Sequence, residues 1–430
     1  MSKNIRAAAF VSLMRIDGGG KYSNIELDAA IKRWNLEGSD RALFTTLVYG
    51  VIERKLTLDY QINRFTSRDI DDDVRCVLRI AFYSILFLDR IPDHAAAYEA
   101  VELCKNRCRR GMASASLVNA VIRSLLRDGS RIIYPEREKD EIRYLSVRYS
   151  LPAWLCELWT KSYGKRAEEI MSSLTGTART DIAVNTLRAD VSYVADELNS
   201  SGCSASAIPN TVRGVTIASG APIAELLEQY GGLFYVQDAS SQRAAAALGA
   251  QPGENILDAC AAPGGKSFHI ALDMNNDGSI ISCDLHKNKL SLIERTAASL
   301  GIDIIKTREQ NGAEHISEWD EHFDRVICDV PCSGLGVIAK KPDLRYKSPN
   351  DIGRLPEIQL AIAENCSKYV KNGGILLYST CTLNNTENEA NVRALLERCP
   401  QFTLSEEKTF FPDSDGCDGF YYAKLIKNIQ

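Results

Sequence analysis

The chain has 430 residues, of which 45% are hydrophobic, 25% charged and 8% aromatic. That balance excludes a fibrous or mainly disordered protein, and at roughly 150 residues per domain the length suggests about three domains. The net charge of −5 is unevenly spread: residues 1–130 carry 20 Lys and Arg against 16 Asp and Glu, the remainder 31 against 40, so the first third is mildly basic, which permits an RNA-facing surface there without requiring one.

Met1–Arg6 leads into an apolar stretch without a cleavage site and reads as a helix, not a signal peptide. No apolar run approaches the ~20 residues that cross a bilayer. Helical periodicity then runs to about residue 130. Leu43, Phe44, Leu47, Val48, Val51 and Ile52 form one buried face with Ser39 as its N-cap. Val74, Val77, Leu78, Ala81, Phe82 and Ile85 form a second, which starts after Asp71-Asp72-Asp73 and stops before Pro92. Ala97, Val101 and Leu103 mark a third, and Leu117, Val118, Val121, Ile122 and Leu125 a fourth. Between the last two, Lys105–Arg110 reads equally as a phosphate grip or as a solvated helix end.

Residues 1–135 are therefore expected to be an all-α domain and 136–175 a helical linker. A small α+β subdomain is expected over 176–244, with strands at Ile182–Leu187, Gly214–Ile217 and Leu233–Val236 and a helix at Val191–Leu198. Over 245–430 short apolar runs at Asn255–Cys260, Ser279–Cys283, Arg325–Cys328 and Gly374–Tyr378 alternate with helices such as Lys289–Leu300 and Ile358–Tyr369. This predicts an α/β, mainly parallel, Rossmann-like sheet with ligands at the carboxyl ends of its strands.

Three clusters carry chemistry. Asp258-Ala259-Cys260-Ala261-Ala262-Pro263-Gly264-Gly265-Lys266 is a strand end, a small-residue turn and a helix start, and it matches neither G-x-G-x-x-G nor the P-loop. Twenty residues beyond Gly264, Asp284 ends the next strand, where an acid accepts from ribose hydroxyls. Together they indicate an adenosine-type cofactor, against the alternative of a merely structural turn. Cys328-Asp329-Val330-Pro331-Cys332-Ser333-Gly334 and Ser379-Thr380-Cys381-Thr382 then put two thiols and a carboxylate past strand ends. A single cysteine is usually a small buried hydrophobe, but two at one working edge are harder to read so. The thirteen cysteines show no C-x-x-C or repeated ligand spacing and the five His are scattered, so no disulfide framework and no metal site are expected, and a reducing cytoplasm is.

The Ala261–Lys266 turn, Asp329–Gly334 and Ser379–Thr382, with Gln237–Ser241 upstream, resemble the RNA cytosine-5 methyltransferases of the Nol1/Nop2/Sun group. Asp40–Phe44 and Val118–Arg123 are similar to the NusB-type RNA-binding helical domain, a combination that resembles the family's bacterial RsmB/Sun branch. The resemblance implies S-adenosylmethionine as cofactor, held by Cys260, Ala261, Ala262, Pro263, Gly264, Gly265, Lys266, Asp284, Asn311 and Asp329. It implies Cys381 as attacking thiol, Cys332 as the thiol that assists product release, and Asp329 as partner of the cytosine ring. The implied substrate is 16S ribosomal RNA, with nucleotide 967 the target by family analogy and a monomeric enzyme acting on it. One departure stands out: where the family usually has Asp-Gly after the third strand, this chain has Asn311-Gly312, which keeps an acceptor oxygen and loses a charge. A second reading stays open at this point, a catalytically silent RNA-binding transcription or assembly factor.

Overall fold

The computed structural model describes residues 5–19, 22–175 and 179–429, and the chain divides into two compact units. The first comprises the chain up to Thr175 together with Lys340–Lys347; the second comprises the rest. Met1–Asn4, the head of the expected first helix, and 176–178, the expected start of the α+β subdomain, lie outside the described residues.

Helices make up the first unit: α1 (Ile5–Asp17), α2 (Ser23–Trp34), α3 (Gly38–Glu53), α4 (Lys55–Asn63), α5 (Asp72–Phe87), α6 (Asp93–Arg107), α7 (Gly111–Arg127), α8 (Glu141–Tyr149), α9 (Ala153–Tyr163) and α10 (Arg166–Ser173). Asp72 and Asp73 place negative charge on the first turn of α5, where unpaired backbone amides favour it, and Val74, Val77, Leu78, Ala81 and Phe82 turn its apolar face inward. Buried Arg79 on the same helix donates to both oxygens of Asp59 on α4 at 2.8 Å and to Asp17 on α1 at 2.8 Å. A charge so deeply placed is tolerated because it is paired on all sides, and the pairing ties three helices together.

Two details differ from the periodicity. The N-cap of α3 is Glu37, without a side-chain bond, so Ser39 lies inside the helix and does not cap it. Leu117 is 40% exposed, and the buried face of α7 runs instead through Ser114, Ala115, Val118, Val121, Ile122 and Leu125. Lys105–Arg107 form the last turn of α6; Lys105 pairs with Glu102 at 2.6 Å and Arg110 approaches Asp71 at 3.8 Å, so acids already neutralise part of that basic run.

Lys340–Lys347 acts as a strap on the helices. Fully buried Arg345 donates through Nη1 to the carbonyl of Glu53 at 2.6 Å, and Tyr346 donates to the carbonyl of Ile52 at 2.7 Å. These carbonyls belong to the last turn of α3, where that of Ile52 also receives the amide of Arg54. Ser23 hydrogen-bonds Asp343, and Lys55 Nζ lies 5.2 Å from the centre of the Tyr346 ring.

The second unit opens with β1 (Thr180–Val184), α11 (Val191–Ser200), β2 (Ser204–Ala207), β3 (Gly214–Ser219), α12 (Ile223–Gln229) and β4 (Phe234–Val236), whose strands form an antiparallel sheet in the order β2-β3-β1-β4. The first strand is shorter than its apolar run: Asn185 ends it by donating to the carbonyls of Gly232 and Leu300, both at 2.8 Å, and Leu187 is exposed.

There follow α13 (Ala239–Ala247), β5 (Asn255–Asp258), α14 (Gly265–Asp273), β6 (Ser279–Asp284), α15 (Lys287–Leu300), β7 (Ile305–Glu309), β8 (Phe323–Asp329), α16 (Pro349–Ile352), α17 (Leu355–Lys368), β9 (Val370–Thr380), α18 (Glu389–Arg398), β10 (Phe402–Phe410) and β11 (Phe420–Lys427). Their sheet has the order β10-β11-β9-β8-β5-β6-β7, parallel from β9 to β7, with β10 and β11 as an antiparallel hairpin on the other side. The Rossmann-like α/β sheet behind a small α+β subdomain and a helical N-terminal region is thus the architecture of the chain. No described helix is long and apolar enough to cross a membrane.

Central β5 carries fully buried Ile256 between β6 and β8. Ile256→Ala is expected to lower stability by about 2–5 kcal/mol through lost burial and the cavity left behind. Denaturant unfolding measures it, and a loss under about 1 kcal/mol would contradict a close-packed core at this strand.

Candidate active site

Five parallel strands bring the chemistry to one edge. Asp258 ends β5, Asp284 ends β6, Asn311 follows β7, Asp329 ends β8 and Cys381 follows β9. The turn after β5 is pinned on both sides: the amide of Ala259 donates to the carbonyl of Ile327 at 2.9 Å, and that of Ala261 to the carbonyl of Cys283 at 2.7 Å. Gly264 caps α14 at φ +109°, and a Cβ there would lie 2.5 Å from the Phe268 ring, so this position needs glycine for both conformation and space.

A cavity of about 230 Å³ opens beside the turn, with Pro263, Gly265, Lys266, Asp329, Cys381 and Phe420 among its walls. Lys266 Nζ lies 2.7 Å from Asp329 Oδ2 and 4.9 Å from the centre of the Phe420 ring. Ser379 Oγ donates to the other Asp329 oxygen at 2.8 Å, so the plane of that carboxylate is fixed from two directions. Asp258 lies fully buried behind the turn; burial pushes its carboxyl up to about 7, against the hydrogen bond from Ser267 and with the help of the nearby Asp329 charge.

The two thiols meet. Cys332 Sγ and Cys381 Sγ are 3.2 Å apart, and among the described residues no cysteine is in a disulfide. The Cys332 thiol is pushed well above its ordinary value, first by its hydrogen bond with Cys381, then by burial, and by the charges of Cys381, Glu387 and Asp329. Ser333 Oγ lies 2.7 Å from Thr382 Oγ1, which joins the neighbours of the two cysteines, and Ser333 also bonds Glu387, which in turn accepts from Gln359 and Asn384. Further along the same loop, Gly336 donates its amide to the carbonyl of Cys381 at 3.1 Å and accepts from the amide of Gly419 at 2.9 Å.

Of the residues expected to hold a cofactor, Cys260, Ala261, Ala262, Pro263, Gly265, Lys266 and Asp329 line the cavity together with Cys381. Gly264, Asp284, Asn311 and Cys332 lie outside its walls. Asp284 accepts from the amide of His286 at 2.9 Å, and Asn311 spends its side chain on the local turn, accepting from the amide of Ala313 at 3.1 Å and donating to Glu314 at 3.1 Å. Gln237 also lines the cavity, and its buried Oε1 accepts no hydrogen bond from the protein. An unused acceptor, a carboxylate, a small-residue turn and a helix N-terminus suit a ligand that carries an amine, a carboxylate and a positive sulfur. Among the described residues no group of three or more His, Cys, Asp or Glu could hold a metal ion.

A family model described as 16S rRNA methyltransferase RsmB/F matches residues 245–426, one described as the NusB family matches 3–127, and one described as an RsmF/B-like ferredoxin-like domain matches 151–224. The probable ribosomal RNA small subunit methyltransferase B of Bacillus subtilis is 37% identical over 446 residues, covering 99% of this chain and 99% of that protein. The chain belongs to the RsmB/F methyltransferase family. Its cofactor is S-adenosylmethionine. The crystal structure of PH0851 superposes with a TM-score of 0.82 at 25% identity, covering 99% of this chain and 100% of that one. A methyltransferase homolog from Pyrococcus horikoshii does so with a TM-score of 0.60 at 27% identity, covering 67% of this chain and 99% of that one.

Sequence reasoning gave no role to Gln237, Gln359, Ser379, Glu387 or Phe420. A signal existed for Glu387, since Asn384-Asn385-Thr386-Glu387-Asn388 is a polar run directly behind a buried strand; Gln359 lies on a helix and offered none.

At Gly336 a Cβ would come 1.9 Å from the carbonyl oxygen of Gly419 and 2.9 Å from that of Cys381. Gly336→Ala is expected to cost at least about 1–3 kcal/mol, because backbone on both sides must move. Thermal unfolding checks it: an unchanged Tm would show that the two loops are not stitched at this point.

Proposed function

We propose that this chain methylates carbon 5 of a cytosine in 16S ribosomal RNA, at nucleotide 967 by family analogy, through a transient bond between Cys381 and the base. The observation that carries this reading is the place of Cys381: it lines the same cavity as Gly265, Lys266 and Asp329, and its sulfur lies 3.2 Å from that of Cys332. The name borne by the Bacillus subtilis relative supports the ribosomal substrate.

Carbon 5 of cytosine is a weak nucleophile. The thiolate of Cys381 adds to carbon 6, forming an S–C bond and pushing the ring's electron pair towards carbon 5. When bound, S-adenosylmethionine supplies an electrophilic methyl group to that carbon. Ring nitrogen 3 takes up a proton from solvent water as the adduct forms, and the Asp329 carboxylate, held by Lys266 and Ser379, accepts a hydrogen bond from it. Water acting as base then takes the carbon-5 proton; the freed electron pair re-forms the ring double bond, nitrogen 3 returns its proton to solvent, and the carbon 6–sulfur bond breaks to release Cys381 as thiolate, a release that Cys332 assists from 3.2 Å. The base must be unstacked to reach a sulfur inside a cavity, so the target is a looped or single-stranded nucleotide.

The silent RNA-binding alternative has no use for two thiols beside a fixed carboxylate on a cavity wall. Cys381→Ala is expected to abolish the covalent RNA adduct on a denaturing gel, and Cys332→Ala to accumulate it. Loss of the adduct only in the Cys332 variant would move the attack to that sulfur. Bisulfite sequencing of 16S RNA from a deletion strain should show the corresponding unmethylated cytosine, and methylation that persists there would sink the substrate assignment.

A further inference from the structure

Glu387 is fully buried, and the reaction just described gives it no task. Its Oε2 accepts from the amide of Ser333 at 2.9 Å and from Gln359 Nε2 at 2.8 Å. Its Oε1 accepts from Ser333 Oγ at 2.5 Å and from Asn384 Nδ2 at 2.9 Å. Gln359 Nε2 also donates to the carbonyl of Pro331 at 2.9 Å, so the residues on both flanks of Cys332 are held by one carboxylate and one amide. The same knot reaches the other thiol: Thr382, next to Cys381, touches Ser333 through its hydroxyl at 2.7 Å, and its carbonyl accepts from Asn388 Nδ2 at 2.9 Å. Four donors converge on the Glu387 side chain, two on each oxygen, so the buried carboxyl is held in one orientation.

We propose that Glu387 is a positioning residue that divides the work of the two thiols: its fixed charge and its grip on Pro331–Ser333 keep the proton on Cys332, which donates an S–H hydrogen bond to the sulfur of Cys381 and stabilises that sulfur as thiolate. This rests on the reading that Cys381 attacks. The proton stays on Cys332 in this arrangement, and no covalent bond is made or broken. The ionisable groups that face Cys332 agree in sign: Cys381 past β9, Glu387 in the loop beyond it, Asp329 at the end of β8 and Tyr378 within β9 are each neutral or negative. Lys266, which lines the cavity with Cys381, is bonded to Asp329.

The test is the pH profile of alkylation of each thiol by iodoacetamide in the full-length protein without RNA or cofactor, read peptide by peptide by mass spectrometry. In the wild type Cys381 should react with the lower midpoint. In Glu387→Gln the midpoint of Cys332 should fall and that of Cys381 should rise, closing the gap by about one pH unit, or roughly tenfold in relative rate at neutral pH. A loop merely loosened would raise both rates at every pH and leave the midpoints in place. Glu387→Asp keeps the charge one methylene further back and should narrow the gap by less, so the inference can be read even where Glu387→Gln fails to fold. Midpoints that stay put in both variants, or move in the same direction, overturn it. Unmoved midpoints in a protein that still forms the Cys381 adduct overturn this inference alone; opposite shifts in a protein that forms no adduct overturn only the reading of the reaction.

Discussion

Two loops leave the carboxyl ends of neighbouring parallel strands and must hold two sulfurs 3.2 Å apart with no covalent link between them. Strand pairing supplies only the coarse distance, through the register that sets Asp329 opposite Ser379. The fine distance comes from buried hydrogen bonds that converge on Glu387, because a carboxylate without access to water is costly unless donors surround it. The four donors come from three places: two from Ser333 in the Cys332 loop, one from the loop after Cys381, and one from α17. The need to satisfy one charge therefore becomes a constraint on three segments at once.

The close approach of glycine backbones adds a second constraint of a different kind. Gly336 and Gly419 come so near that neither tolerates a Cβ, and this contact brings the start of β11, with Phe420, against the loop that carries Cys332. Phe420 then covers Lys266, and Lys266 holds Asp329. Packing at a hairpin that supplies no reacting group thus decides where the carboxylate of the cavity stands.

What could be read from the residues was what burial writes into sequence. Interior strands β5, β6, β8 and β9 are short apolar runs, and all four stand out; the turn after β5 is equally visible because only small residues fit it. The strands at the sheet edges escaped notice. β10 is exposed continuously along Thr403–Lys408 and carries Glu406, Glu407 and Lys408 there, and β7 is largely exposed, as edges that must avoid pairing with other chains tend to be. β11 is nearly continuous in burial and contains the apolar run Phe420-Tyr421-Tyr422-Ala423, yet it was not expected, because the chain reaches it by an antiparallel return that βα alternation does not announce. The two cysteines and Asp329 were found through their motifs. Gln359 could not be, since it meets Pro331 and Glu387 from a helix 28 residues away in either direction, a spacing set by the fold and not by local geometry.

The substitution at position 311 has a local reason. Asn311 follows β7 in a turn where Glu314 is its hydrogen-bond partner, and its Nδ2 donates to Glu314 Oε1 at 3.1 Å. An aspartate in its place would set two carboxylates against each other and lose that donor. Its Oδ1 would still accept from the amide of Ala313, so the turn itself does not depend on the amide, whereas the contact with Glu314 does. The acidic side chains at the carboxyl edge are then Asp258, Asp284 and Asp329, at the ends of β5, β6 and β8. Asp284 is the one of these nearest β7, and it keeps a carboxylate oxygen that does not take part in its bond to the amide of His286. The acidic side chain nearest this end of the sheet is thus the one that ends β6, and the amide after β7 serves its own turn.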